Sequence, residues 1–205
     1  MNETVRAYDL DAAAYAAHAP PVPDAVRADL EALAAATGEG ARVLEVGSGA
    51  GRDALLMEQL GLAVRRTDVT PAFVDLLRGQ GHTCDLLDPL TDDLAAPEGP
   101  YDAVWANASL LHVARDDLGA VLARLAAVTR PAGILRMSVK EGDGDGWSTH
   151  GSIRLPRHFT YWRAGPLAQV AAAAGWSEVS VCSGIPGTRG EAWLALSARR
   201  GQVVA

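Results

Sequence analysis

Val43-Leu44-Glu45-Val46-Gly47-Ser48-Gly49-Ala50-Gly51 is a short apolar run that passes directly into alternate glycines. Arg42–Val46 has the length of a buried strand and is too short for an amphipathic helix. The glycines of Gly47–Gly51 let the backbone turn tightly and approach a ligand. Arg52 to Leu60 then reads as a helix closed by Gly61, with its N-terminus facing whatever the loop holds. A strand, a glycine loop and a helix in that order begin a parallel α/β sheet.

Outward from this stretch the alternation continues. Leu62–Thr67 is a second strand, and Pro71–Arg78 a helix with proline in its first turn. A short third strand is expected near His82-Thr83-Cys84, then a loop from Asp88 to Pro100 and a fourth strand at Tyr101–Ala106. Asp116–Val128 is amphipathic, with Leu118, Val121, Leu122 and Leu125 on one face. Arg130-Pro131-Ala132-Gly133 turns into a fifth strand, Ile134–Val139. Residues 140–163 break the rhythm; helix resumes at Pro166–Ala174, and strands follow at Glu178–Cys182 and Ala192–Ser197. The loop between those two strands is too short for a helical crossover, so they pair antiparallel. Toward the N-terminus, residues 1–21 show no strong period, Ala19–Pro23 is a stiff extended segment, and Asp24–Ala35 is a helix stopped by Gly38-Glu39-Gly40.

The expected fold is α/β: a doubly wound, Rossmann-like, seven-stranded sheet, mostly parallel, with one antiparallel strand near the edge and helices on both faces. A single domain spans 1–205: an N-terminal lid and helix (1–38), a cofactor-binding core (39–140), a substrate-lid insertion (141–163) and a C-terminal helix and strand pair (164–205).

Composition narrows the function. A 49% hydrophobic fraction excludes disorder, and two cysteines exclude a disulfide scaffold. Cys84 and Cys182 read as reduced core thiols. A net charge of −7 argues against a nucleic-acid partner bound by phosphate neutralisation. The lack of a signal layout or an apolar run of about 18 residues predicts a cytoplasmic protein without a membrane span. No histidine or acidic spacing suggests a metal.

The strand ends carry the chemistry, since open parallel sheets bind ligands there. Asp68 ends the second strand, placed to accept hydrogen bonds from two ribose hydroxyls. Gly49-Ala50-Gly51-Arg52-Asp53-Ala54 formally fits the dinucleotide fingerprint, so an NAD(P)-dependent oxidoreductase is an alternative. Three features tilt away from it. Glu45 puts a carboxylate where it suits a ligand's ammonium group and where a pyrophosphate gains nothing. Arg52 directly follows the third glycine. Asp85 ends the third strand, placed to accept from an adenine amino group.

With these motifs the chain resembles the class I S-adenosylmethionine-dependent methyltransferases. The resemblance rests on Val43–Gly51, Thr67-Asp68-Val69-Thr70-Pro71, Tyr101–His112 and Arg130–Leu135, and covers roughly residues 40–140. It implies S-adenosylmethionine as cofactor and S-adenosylhomocysteine as product. By position, Gly47, Ser48, Gly49 and Gly51 would line the methionine and ribose, and Glu45 would orient the amino group. Asp68 would hold the ribose and Val69 would pack on adenine. Asp85 and the Leu86 backbone would read the adenine amino group, with Asp88 as a substitute for Asp85. Asn107 and Ala108 would border the methyl group. Arg52 would reach the methionine carboxylate or the acceptor. Tyr8 or Tyr15 would close over the cofactor.

For the acceptor, a small molecule or a peptide, the candidate contacts are Tyr8, His112, Lys140, Trp147, Arg154, Arg157 and Tyr161. Arg154 or Arg157 would pair with an acceptor carboxylate. His112 is the first candidate for a catalytic base, with Glu141 or His150 behind it. A non-catalytic cofactor-binding partner protein is the remaining alternative.

Overall fold

Arg42–Val46 (β1) lies in the middle of a seven-stranded sheet in the computed structural model, which describes residues 2–149, 153–187 and 190–201. It is flanked in parallel by β2 (Ala63–Asp68) and β4 (Tyr101–Asn107). β3 (Asp85–Leu86) extends the sheet beyond β2, and β5 (Thr129–Lys140) extends it beyond β4. β8 (Trp176–Pro186) and β9 (Ala192–Arg200) complete the order β3-β2-β1-β4-β5-β9-β8. β9 runs antiparallel to both β5 and β8, so the one reversed strand sits next to the edge. That follows from the short β8–β9 loop, which has no room for a crossover.

Alternation along β1 sorts its side chains to two faces. Val43 packs with Leu30 and Leu33 of α2 (Asp24–Thr37) and with Ala54, Leu56 and Met57 of α3 (Arg52–Gln59). Leu44 and Val46 face Leu118, Leu122 and Leu125 of α5 (Arg115–Ala127) and Leu167 and Ala171 of α6 (Ala164–Ala173). β4 repeats the division, Ala103 and Trp105 on the first face, Val104 and Ala106 on the second. Each fully buried leucine contributes about 1.5–3 kcal/mol, so these two layers hold the strand ends in place. By the same alternation Glu45 falls on the α2/α3 face, but at the carboxyl end, opposite Trp105 in the ladder.

Several elements differ from expectation. Residues 3–17 form a helix, α1 (Glu3–Ala17), capped by the Asn2 side chain, which accepts from Val5 N at 2.8 Å. Its buried positions mix Thr4 and Asp11 with Val5, Ala7 and Ala12, which leaves no apolar stripe in the sequence. The third strand is Asp85–Leu86, not His82–Cys84. The amides of Gly81 and His82 are still bonded back to Arg78 and Leu77, closing α4 (Pro71–Gly79), so pairing begins later. Residues 141–163 contain a two-stranded antiparallel sheet apart from the main one, β6 (Asp145–Ser148) with β7 (Arg157–Thr160). Cys84 is buried, but Cys182, on edge strand β8, is exposed; both are free thiols.

Candidate active site

The carboxyl ends of β1, β2 and β4 open into one cleft of about 380 Å³, walled on one side by α1. Its floor is the glycine loop. Gly47 N and Ser48 N both donate to Thr67 O at 2.9 Å, which stitches the loop to β2. Gly47 has φ +80°, and a Cβ on it would lie 2.4 Å from Ser109 Cβ, so nothing larger fits. Gly51 is required for a different reason. It is the left-handed N-cap of α3, and a Cβ there would meet Leu77 Cδ2 at 2.6 Å. It does not line the cleft, whereas Gly47, Ser48, Gly49 and Arg52 do.

Glu45 lines this cleft although it is only 2% exposed. Ser48 donates its hydroxyl to Glu45 Oε2. The neighbouring cation, Arg66, is bound twice to Glu58 at 2.7 Å. Burial, reinforced by Asp53 and Asp68, pushes the Glu45 carboxyl up to about 8. A buried carboxyl without a cation of its own is suited to a ligand ammonium. Ser109 Oγ, also in the lining, is buried without a hydrogen-bond partner and offers a further polar contact.

Asp68 Oδ2 accepts from Gly49 N and Oδ1 from Thr70 N, both at 2.8 Å. Each oxygen retains acceptor capacity toward the cleft. Burial raises the Asp68 pKa.

Asp53 and Ser138 were not anticipated. Asp53 Oδ2 accepts from Trp105 Nε1 and Asn107 Nδ2, both at 2.9 Å. Ser138 donates to Asn107 Oδ1 at 2.5 Å and accepts from Ala108 N at 2.9 Å. This chain fixes which way the Asn107 amide faces and holds Ala108 at its positive φ of 53°. Asn107 and Ala108 both line the cleft. Nothing in local spacing ties Asp53 or Ser138 to residue 107; only the fold does.

Val69, 38% exposed, lines the cleft, but Asp85 and Leu86 do not. Asp85 is half-exposed and held by Arg65 Nε at 2.8 Å. Because β3 lies later than expected, Leu87 and Asp88 reach the cleft instead. Arg52 donates to Pro20 O and so anchors the extended segment before α2.

The opposite end is aromatic. Tyr8 and Tyr15 of α1 meet Phe73 of α4 with ring centroids 5.5–6.0 Å apart. His112, in a 3-10 turn after β4, lies between Tyr8 and Phe159. His112 Nδ1 is 2.6 Å from His158 O, and a carbonyl only accepts, so Nδ1 carries the proton. Nε2, 3.0 Å from Tyr8 Oη, then accepts the tyrosine proton, while Arg157 donates to the same hydroxyl at 3.1 Å. Burial lowers the imidazole pKa to about 4. The ring is neutral at pH 7, and protein groups engage both nitrogens.

A second cavity of about 230 Å³ shares Asn2, Thr4, His112 and Ala114 with the cleft and adds Glu3, Trp147 and His158. Trp147 is 52% exposed there. The other expected acceptor contacts lie elsewhere. Arg154 is bound to Asp11 of α1 through both its main chain and its guanidinium. Arg157 is buried against Tyr8 and Phe159, and Lys140 Nζ sits 4.0 Å from the Phe159 ring centroid. Neither these three nor Tyr161 lines either cavity. Glu141 accepts from Gly184 N at 2.8 Å, a structural commitment. His150 lies outside the described residues.

The methyltransferase-domain family model matches residues 15–181, most of the chain, with the glycine loop inside the match. The chain belongs to the class I S-adenosylmethionine-dependent methyltransferases. The methyltransferase is 36% identical over 104 residues to a ubiquinone biosynthesis O-methyltransferase of Xanthomonas axonopodis pv. citri; the match covers 48% of this chain and 43% of that one. Among solved structures it is similar to the 1,6-didemethyltoxoflavin-N1-methyltransferase of Burkholderia thailandensis, with TM-score 0.70 and 25% identity over 98% of this chain and 90% of the other. DhpI in complex with S-adenosylhomocysteine matches at TM-score 0.72 and 26% identity, covering 98% and 96%. Membership in this family makes the chain an S-adenosylmethionine-dependent methyltransferase, and the nicotinamide reading falls away. No helix among the described residues is long and apolar enough to cross a membrane.

Proposed function

We propose that the enzyme methylates a small-molecule acceptor, chiefly by holding donor and acceptor in line. One observation carries this reading: a single cleft joins a buried acidic end, Glu45 and Asp68 around the glycine loop, to an aromatic end made by α1, α4 and His112. Glu45 takes the cofactor's ammonium, Asp68 its ribose hydroxyls, and Val69 packs on its adenine. Asn107 and Ala108, fixed through Asp53 and Ser138, border the methyl group. When bound, the cofactor supplies a methyl group already activated on a sulfonium sulfur. The protein's share is alignment and exclusion of water, which lowers such barriers by up to about 7–11 kcal/mol. α1 and the β6–β7 hairpin act as lids, and their size suits a small acceptor. The relatives named above include one O-methyltransferase and one N1-methyltransferase, so likeness leaves the acceptor atom open.

Calorimetric titration with S-adenosylhomocysteine and, separately, NADH tests the donor end. We expect micromolar binding of the first and none of the second. Asp68→Ala removes a charged hydrogen-bond acceptor and weakens binding by about 10- to 100-fold. Unchanged affinity in that variant removes Asp68 from the site.

A further inference from the structure

We infer that the acceptor atom is an amine or ring nitrogen that attacks as its neutral free base; this rests on the methyl-transfer reading above and deepens it. The first line of support is that His112, the one histidine in the cleft lining among the described residues, is engaged at both ring nitrogens. An alcohol or phenol must lose its proton to become a good nucleophile. His112 is placed for that work, yet its Nδ1 proton is given to His158 O and its Nε2 holds the Tyr8 hydroxyl proton. The Tyr8 oxygen in turn accepts from Arg157. The triad is closed on itself: it orients Tyr8 and offers no open nitrogen to an acceptor. A ring nitrogen or arylamine is unprotonated at neutral pH and needs no such base, and an alkylammonium first releases its proton to water.

A carboxylate or thiolate acceptor needs no base either, but the charge of the cleft opposes it. Glu45, Asp53, Asp68, Asp88 and Asp117 line the cleft. Among the described residues, Arg52 is the one arginine or lysine in that lining, and its guanidinium is given to Pro20 O. Arg154, placed by its sequence position to meet an acceptor carboxylate, is bound to Asp11 instead. An anion entering here meets these acidic side chains, and the one lining cation among the described residues, Arg52, is tied to the segment before α2.

Nitrogen chemistry fits the same lining. The lone pair of the neutral nitrogen forms the new N–C bond. The S–C bond breaks with its electron pair going to sulfur, which becomes a neutral thioether. The positive charge passes from sulfur to nitrogen, so the net charge in the cleft is the same before and after the step. The proton then leaves the methylated nitrogen to water.

The test uses three scaffolds, each as amine, alcohol and carboxylate: benzylamine, benzyl alcohol and benzoate; phenethylamine, phenethyl alcohol and phenylacetate; tryptamine, tryptophol and indoleacetate. Their dissociation constants are measured on protein saturated with S-adenosylhomocysteine, and their turnover with S-adenosylmethionine carrying a 13C-methyl group. We expect the amine of at least one set to bind at least about tenfold tighter than its carboxylate. Any labelled product should carry an N-methyl signal. An alcohol or carboxylate that binds tighter than its amine, or an O-methyl product, overturns the inference, as does absence of binding and turnover throughout. Failure of S-adenosylhomocysteine to bind at all overturns the methyl-transfer site itself, a separate result.

Discussion

The two ends of the cleft are held in different ways. At the donor end the glycine loop is stitched to β2 by backbone bonds, and its acids sit at the ends of strands packed on both faces. At the acceptor end α1 is docked by scattered side chains. Asp11 meets Arg154, Thr4 Oγ accepts from His158 N at 2.9 Å, Asp9 accepts from Ala72 N at 2.8 Å, and Tyr8 meets His112. The donor end is therefore part of the core, and the acceptor end is an attachment to it. Polar docking of this kind opens more readily than an apolar layer, which suits a wall that must admit and release small molecules.

The sharpest way to break the donor end is Gly47→Ala. The new methyl group must displace Ser109, and the backbone must keep a positive φ that alanine resists. Strain of about 1–3 kcal/mol plus the clash should weaken S-adenosylhomocysteine at least about 100-fold. Calorimetry reads the affinity, and circular dichroism shows whether the fold survives. Full affinity with a retained fold would mean that the loop is softer than a core element.

The same contrast explains what could be read in advance. The order of strands and helices, the reversed β9 and the glycine loop follow from short-range signals: apolar runs, turn residues and loop lengths. That Glu45 and Asp68 reach the cleft was legible because strand ends in a parallel sheet open into such crevices. Asp85 was misplaced because α4's C-terminal turn absorbs Gly81 and His82, shifting β3 to Asp85–Leu86. α1 was missed because its buried face is half polar, each polar group answering to a partner far along the chain. Asp11 and Arg154 are 143 residues apart, Tyr8 and His112 are 104 apart, and no periodicity encodes such pairs. Arg154 and Arg157 lie outside the cavity linings for the same reason, since their partners on α1 were invisible until that helix was in place.

A smaller effect comes from Glu45. Its carboxyl is raised to about 8 in the folded protein, so between its ordinary pKa and 8 the native state binds a proton that the unfolded chain lacks. Stability from this group is full below about pH 4.5 and is lost as pH rises through 8. The Tm of the cofactor-free protein should therefore fall across that window, and Glu45→Gln should flatten the fall. A bound ammonium reverses the preference, because it favours the ionised carboxylate. Binding of S-adenosylhomocysteine at pH 7 should then release a proton, seen as a calorimetric enthalpy that differs between phosphate and Tris buffers. Equal enthalpies, after correction for the ligand's own amino group, would place the ammonium elsewhere.

The weakest perturbation tests the division itself. Asp11→Asn removes the charge that binds Arg154 and leaves every residue at the glycine loop untouched. Arg154 is mostly exposed, so solvent already screens this pair and the folded core should hardly notice its loss. Hydrogen exchange should nevertheless quicken along α1 and around Arg154, because the link between them is polar and local. Affinity for S-adenosylhomocysteine should stay within about threefold of wild type, since α1 walls the donor end without building it. Acceptor affinity should fall further than donor affinity, through the altered seat of Tyr8. If instead donor binding fell as far as in Gly47→Ala, α1 and the glycine loop would be one cooperative unit. The polar contacts of α1 would then count as core structure in spite of their polarity.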